Sequence, residues 1–235
     1  MDNNNTLNIL FLVNAHNAMS QRAWIEMRSL GHSVTVEFAV NEENMMRVAD
    51  KHKPDLILCP FLTKRIPTEL LLKYKCFIVH PGIRGDRGPS SLDWCITRRE
   101  EEWGVTIVEA DEVMDAGPIW GYATFPMKRR SNPHITKSSV YRHEVIEAAC
   151  KALKDAVNKF QNKQQPELLN YSNPHIKGIL RPSMAQADRV LDWSKSVDEL
   201  INRIAAADSR PGVKETLLDE EVFLFGAHPE YILNR

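Results

Sequence analysis

Ile9-Leu10-Phe11-Leu12-Val13 is a continuous apolar run of strand length, and a polar turn, Asn14-Ala15-His16-Asn17, follows it directly. A strand that is apolar at every position has no face left for water, so it belongs inside a sheet covered on both sides. The chain beyond it repeats the same grammar. Ser20 to Leu30 reads as a helix, and Gly31 closes it as a C-cap does. Ser33 to Val40 returns to strand character, with Val34, Val36 and Phe38 alternating. Asn41 to His52 reads as a second helix, Asp55 to Cys59 as a third strand and Cys76 to Val79 as a fourth. Strands alternating with helices predict an α/β fold: an open, mostly parallel twisted sheet with helices on both faces.

Further along, Pro89 to Arg99 reads as a helix with Pro89 in its first turn. Gly104 to Glu109 and Pro118 to Met127 read as strands, and Ser138 to Phe160 as a long helix. We therefore expect a main domain over residues 1–160. Residues 161–174, rich in Gln, Asn and Pro, read as a linker. Residues 175–235 read as a small C-terminal subdomain, containing a helix over Val197 to Ala207, a turn at Pro211-Gly212-Val213 and a strand over Glu221 to Phe225. No following partner is visible for that strand before Arg235, so the subdomain reads as incomplete.

Bulk properties narrow the function. Of 235 residues, 43% are hydrophobic, and the formal net charge is −1. There is no basic excess to draw the chain to nucleic acid or to an anionic membrane. The cysteines at 59, 76, 95 and 150 form no C-x-x-C pair and lie mostly in apolar surroundings. They read as reduced, buried thiols of a cytoplasmic protein. The polar opening Asp2 to Thr6 does not read as a signal peptide, having no basic stretch followed by an apolar one, and no apolar stretch has bilayer length. His16, His134, His143 and His228 have no metal-ligand spacing, so no metal is expected.

In an open α/β sheet, ligands bind at the carboxyl ends of the strands. Strand direction then gathers Asn14 to Gln21, Cys59 to Leu62, His80 to Gly88 and Glu109 to Gly117 around one crevice. The segment Val79-His80-Pro81-Gly82-Ile83-Arg84-Gly85-Asp86-Arg87-Gly88-Pro89 carries the most chemistry. A histidine ends an apolar strand, and a glycine-rich loop follows that lets backbone approach a ligand. Histidine gives and takes protons near neutral pH. A turn-capping histidine would look the same from composition alone. Glu112-Val113-Met114-Asp115-Ala116-Gly117 supplies an acid that could orient an imidazole or cap its own turn. A serine hydrolase would need a G-x-S-x-G elbow, which Ser90-Ser91 does not have. Gly85-x-x-Gly88 neither follows the first strand nor has dinucleotide spacing.

Taken in order, His80-Pro81-Gly82, the glycine-rich loop, Gly104-Val105-Thr106 and Met114-Asp115-Ala116-Gly117-Pro118-Ile119 resemble the 10-formyltetrahydrofolate-dependent formyltransferases. That family includes the glycinamide ribonucleotide and methionyl-tRNA enzymes. His80 to Trp94, Thr136 to Glu144 and Arg181 to Arg189 are similar, more narrowly, to its hydrogenase-maturation branch, the HypX/HoxX family. The likeness implies a formyl transferase with His80 and Asp115 at the reaction centre. It implies a folate cradle of Phe61, Leu62, Pro67, Glu112, Val113 and Asp115. For the acceptor it implies Ser20, Gln21 and Arg22 at a helix start, with Arg84, Arg87, Arg129 and Arg130 as further phosphate partners. The donor implied is 10-formyltetrahydrofolate. The acceptor implied is the phosphopantetheine thiol of coenzyme A, in carbon monoxide ligand synthesis for hydrogenase. The implied partners are a crotonase-like domain and other hydrogenase maturation proteins. An amine acceptor (a sugar nucleotide or an aminoacyl-tRNA) and a folate or coenzyme A binding module with little catalysis stay open. The family's Asn, two residues before the His, is Ile78 here. Asn would donate to a developing oxyanion, and Ile cannot.

Overall fold

In the computed structural model, which describes residues 6–127 and 135–229, the opening apolar run lies in the middle of a sheet. β1 (Asn8–Val13) is flanked by β2 (Ser33–Phe38) on one side and β3 (Leu56–Cys59) on the other, both parallel to it. β4 (Cys76–His80) continues parallel beyond β3. The six-stranded sheet has the order β2-β1-β3-β4-β5-β6.

The reason β1 is apolar throughout is visible in its two faces. Ile9, Phe11 and Val13 pack with Met19, Ala23 and Met27 of α1 (Ala18–Ser29) and with α6 (Ile146–Gln161). Leu10 and Leu12 pack on the other face with Met45, Val48 and Ala49 of α2 (Glu42–His52) and with Leu70 of α3 (Thr68–Lys73). Successive side chains of a strand point to opposite faces, so a two-sided core needs both sets. Gly31 follows α1 at φ +88°, the left-handed conformation that ends a helix at least cost in glycine.

Three features depart from the sequence reading. After β4 the sheet turns antiparallel: β5 (Glu102–Glu109) runs against β4, and β6 (Ile119–Pro126) against β5. Glu109 therefore stands opposite Phe77, while His80 stands opposite Thr106. Strand direction does not bring Glu109 to the carboxyl end of β4, and it is the loop between β5 and β6 that carries Asp115 back to His80. Second, the helix expected over Ser138 to Phe160 begins with α5 (Lys137–Val140) and passes through a π-helical turn, Tyr141–Val145, before α6. Third, the partner of the last strand precedes it. β7 (Val213–Leu217) pairs antiparallel with β8 (Glu220–Leu224), where the sequence reading saw only a turn.

The segment after α6 lies along the sheet domain. Glu167 and Ile119 exchange both backbone hydrogen bonds, each 2.8 Å. Helix α4 (Ser91–Thr97) takes α7 (Val197–Ala207) against it, and Asn202 Nδ2 donates to Ile96 O at 3.0 Å. Among the described residues no helix is long and apolar enough to cross a membrane.

Candidate active site

β4 delivers His80 to the carboxyl edge of the sheet, where the ring is only 4% exposed. Its two nitrogens face two carboxylates. Nε2 lies 3.1 Å from Asp86 Oδ2, and Nδ1 lies 3.4 Å from Asp115 Oδ2. The loop after His80 is held by its carbonyls. Pro81 O accepts from Ser91 Oγ and from Trp103 Nε1, each at 2.9 Å, and Gly82 O accepts from Thr106 Oγ1 at 2.8 Å. Each of these donors belongs to a neighbouring element, so the turn is specified by α4 and β5 as much as by its own residues.

Asp115 sits in the left-handed region at φ +54°, which Asp tolerates better than most residues. Its Oδ2 also accepts from Gly88 N at 3.1 Å, which ties the β5–β6 loop to the loop after β4. Gly88, at φ +112°, has room for no side chain, because a Cβ there would stand 2.1 Å from Arg181 O. The C-terminal segment closes the far side. Arg87 N donates to Ile179 O and Arg181 N donates to Arg87 O. Tyr171 joins the same layer, its hydroxyl donating to Ala116 O at 3.3 Å and its ring lying 4.3 Å beneath the Arg87 guanidinium.

The residues expected to hold the donor stand in the segments that follow β3 and β5. Phe61 and Leu62 are half-buried beyond β3, and Phe61 O accepts from Asn14 N at 2.8 Å, so the ends of β1 and β3 are joined. Pro67 opens α3 and is half-buried. Glu112 and Val113 are exposed on the loop that carries Asp115. Ile78 is part-buried beside Cys59 and packs, as Leu62 and Ala110 do, against the core cluster of β3 and α2, with no polar side-chain group to offer.

The residues expected to hold the acceptor are placed less uniformly. Ser20 is fully buried, and its hydroxyl donates to Ala15 O at 3.2 Å, so it serves the α1 cap. Gln21 Nε2 donates to His16 O, and Arg22 pairs with Glu26, each at 2.8 Å. The Glu26 carboxyl is held below its usual range by hydrogen bonds from Lys154 and Arg22. Arg84 pairs with Glu167 and lies over the Tyr122 ring at 4.9 Å. Arg87 is against Tyr171, as above. Arg129 and Arg130 lie outside the described residues.

Two side chains at the site were not singled out from sequence. Asp86 is buried and touches His80. Arg181 reaches Asp86, with Nε 3.6 Å from Oδ1. Gly85-Asp86-x-Gly88 reads as an ordinary turn sequence.

An imidazole between two carboxylates, at the edge of a mostly parallel sheet and beside a glycine-rich loop, can move a proton and steady a developing negative charge. The comparison with known proteins shows the family of the chain. Residues 9–153 match the family model described as formyl transferase. The chain belongs to the formyl transferase family. It is 38% identical over 224 residues to the hydrogenase maturation factor HoxX of Bradyrhizobium diazoefficiens, covering 94% of this chain and 38% of that protein. The crystal structure of HypX from Aquifex aeolicus in complex with tetrahydrofolic acid is similar at a TM-score of 0.87 and 39% identity, over 95% of this chain and 38% of that one. A methionyl-tRNA formyltransferase of Thermotoga neapolitana is 27% identical over 194 residues, covering 80% of this chain and 59% of that enzyme. This formyl transferase chain thus spans about two fifths of the length of the HoxX and HypX proteins it matches.

Proposed function

We propose that this chain takes the formyl group from 10-formyltetrahydrofolate and passes it to a thiol, the phosphopantetheine of coenzyme A, with His80 and Asp115 as the reacting pair. The observation that carries this reading is the buried His80 ring at the end of β4, with Nδ1 3.4 Å from Asp115. The HypX likeness in complex with tetrahydrofolic acid supports a folate as the donor. The Phe61-Leu62 loop, Pro67 and the loop from Glu112 to Asp115 border the same edge and are the proposed pterin cradle.

The chemistry balances without a redox step. The acceptor sulfur attacks the formyl carbon, and its proton passes to His80. A carbon–sulfur bond forms while the carbonyl electron pair moves onto oxygen. The protonated ring, held by Asp115, steadies that oxyanion. The intermediate then collapses. The bond from carbon to N10 of the folate breaks, and His80 returns its proton to that nitrogen. The products are a formyl thioester and tetrahydrofolate. Arg84, Arg87, Arg129, Gln21 and Arg22 are the proposed partners of the acceptor's phosphates. Ser20 acts there only through the α1 cap, because its hydroxyl is already committed.

The place in hydrogenase maturation, and a crotonase-like domain that would act on the thioester, are proposed on the HoxX likeness. A cytoplasmic location goes with free, buried cysteines at 59, 76, 95 and 150. We likewise propose residues 1–160 as the catalytic domain and 175–235 as a subdomain joined to it by 161–174. One observation favours a second reading, a binding module with slow chemistry: Ile78 offers no donor to the oxyanion. Thermal shift with folate and coenzyme A, followed by turnover, separates the two readings, since binding without release of tetrahydrofolate marks the module. Saturation by an amine in place of coenzyme A would redirect the acceptor. The central test is His80→Ala, expected to abolish tetrahydrofolate release while the far-ultraviolet spectrum stays native. Undiminished release in that variant overturns the assignment.

A further inference from the structure

A carboxylate enclosed by protein is costly unless it is paired and hydrogen-bonded. The Asp86 side chain is 0% exposed, and among the described residues two side chains approach its oxygens. Oδ2 meets His80 Nε2 at 3.1 Å. Oδ1 faces Arg181 Nε at 3.6 Å, and neither of these last two atoms makes a hydrogen bond. Two glycines make the contact possible. A Cβ on Gly82 would stand 2.3 Å from His80 Nε2 and 2.6 Å from Asp86 Oδ2, and one on Gly178 would stand 2.0 Å from Asp86 N. One of these glycines belongs to the loop after β4 and the other to the C-terminal segment. Both parts of the chain are therefore shaped around this pair.

Both ring nitrogens face a carboxylate, which only accepts. The contact with hydrogen-bond geometry is Nε2 to Asp86 at 3.1 Å, so the single proton of a neutral ring is best placed on Nε2. The 3.4 Å approach of Asp115 to Nδ1 becomes favourable once the ring takes up a second proton. A neutral imidazole has one proton, which leaves Nδ1 as the nitrogen with a free lone pair. Nδ1 lies beside Asp115, whose side chain is 12% exposed against 0% for Asp86. The charged groups facing the ring are Asp86 from its own loop and Asp115 from the β5–β6 loop, with Arg181 of the C-terminal segment behind Asp86. Ile78 has no polar atom with which to fix the ring.

We propose that Asp86 is a positioning residue for the transfer reaction. It holds the His80 ring with Nε2–H turned into the protein and so makes Nδ1 the nitrogen that exchanges the proton with acceptor and folate. This rests on the reading of His80 as the reaction centre.

The test is the ring tautomer of His80, read by nitrogen-15 NMR on histidine-labelled chain and assigned by loss of the signal in His80→Gln. The neutral ring should be protonated at Nε2. In Asp86→Asn the amide oxygen turns toward Arg181 and its NH2 toward Nε2, so the proton should shift to Nδ1. Turnover should then fall by roughly 100-fold or more, as expected when a histidine base is held in the wrong tautomer. KM for 10-formyltetrahydrofolate should stay unchanged, and Asp86→Glu should restore part of kcat. A wild-type ring protonated at Nδ1, or an Asp86→Asn variant with tautomer and kcat unchanged, overturns the proposal. Should Asp86→Asn fail to fold, the wild-type tautomer decides alone. Absence of wild-type turnover sinks the proposed function, whereas an Nδ1–H ring in a chain that turns over sinks the role of Asp86.

Discussion

Gly82 shows how little room the site leaves. Its φ is unremarkable, so the demand on it is not conformational. It is steric, because any side chain there would enter the gap between His80 and Asp86. Gly82→Ala must push the imidazole or the carboxylate aside by about an ångström, and displacements of that size in a reacting group cost roughly 100-fold in rate. Turnover of 10-formyltetrahydrofolate should drop accordingly, and overpacking this enclosed site should also cost about 1–3 kcal/mol of stability, so kcat is read at a temperature where the variant is folded. A variant with native kcat would show that the His80–Asp86 contact does not matter to the reaction. The cysteines belong to the same scale. Burial, and then the Glu109 charge, pushes the Cys76 thiol up to about 12, and burial raises that of Cys59 well above its usual value. They are core residues of β3 and β4 with no thiolate to offer as a nucleophile.

Between elements, the junction of α1 with β2 carries a pH dependence. His32 lies there at 4% exposure, with Nδ1 accepting from Leu7 N at 3.4 Å and Nε2 without a hydrogen bond. Burial lowers its pKa below the ordinary histidine value. The unfolded chain takes up the proton near pH 6.5, and the folded chain only at lower pH. Between those two points the unfolded state holds more protons, so stability is lost as pH falls from about 6.5 toward the folded midpoint. His32→Asn keeps an acceptor for Leu7 N and removes the titration. Its thermal midpoint should decline less than the wild type's between about pH 7.5 and 5.5. Parallel declines would rule His32 out as the source.

Across the whole molecule, one buried cluster joins the sheet domain to the C-terminal segment. Asp93 Oδ1 on α4 accepts from Arg189 Nη2 at 2.7 Å and from Lys137 Nζ at 3.0 Å, and Lys137 Nζ also donates to Arg210 O at 2.6 Å. Arg189 is 3% exposed. Asp93→Ala would leave that guanidinium buried without a counter-charge, which costs about 3–5 kcal/mol. Urea denaturation should show a loss of that order, and limited proteolysis should cut the segment around Arg189 faster. A loss below about 1 kcal/mol would mean the cluster is solvated in practice.

The alternation of apolar runs and helices was legible because it is local. Ile9 to Val13, Leu56 to Cys59 and Cys76 to Val79 have to be buried on two faces whatever surrounds them, and that alone calls for a covered parallel sheet. The placement of His80 at a strand end above a glycine-rich loop is local in the same sense. Strand direction is not: nothing in the periodicity of Glu102 to Glu109 says whether it runs with or against β4. The same holds for β7, whose alternation is weak and whose partner is decided by the two-residue turn that follows it. The pairing of His80 with Asp86 lies still further out of reach. It needs the turn closed by Ser91, Trp103 and Thr106, and Gly178 and Arg181 brought in from the distant C-terminal segment. Local composition determined the layers of this protein and the histidine at their edge. Only tertiary packing, through contacts between residues remote in the chain, decided which carboxylates hold that histidine.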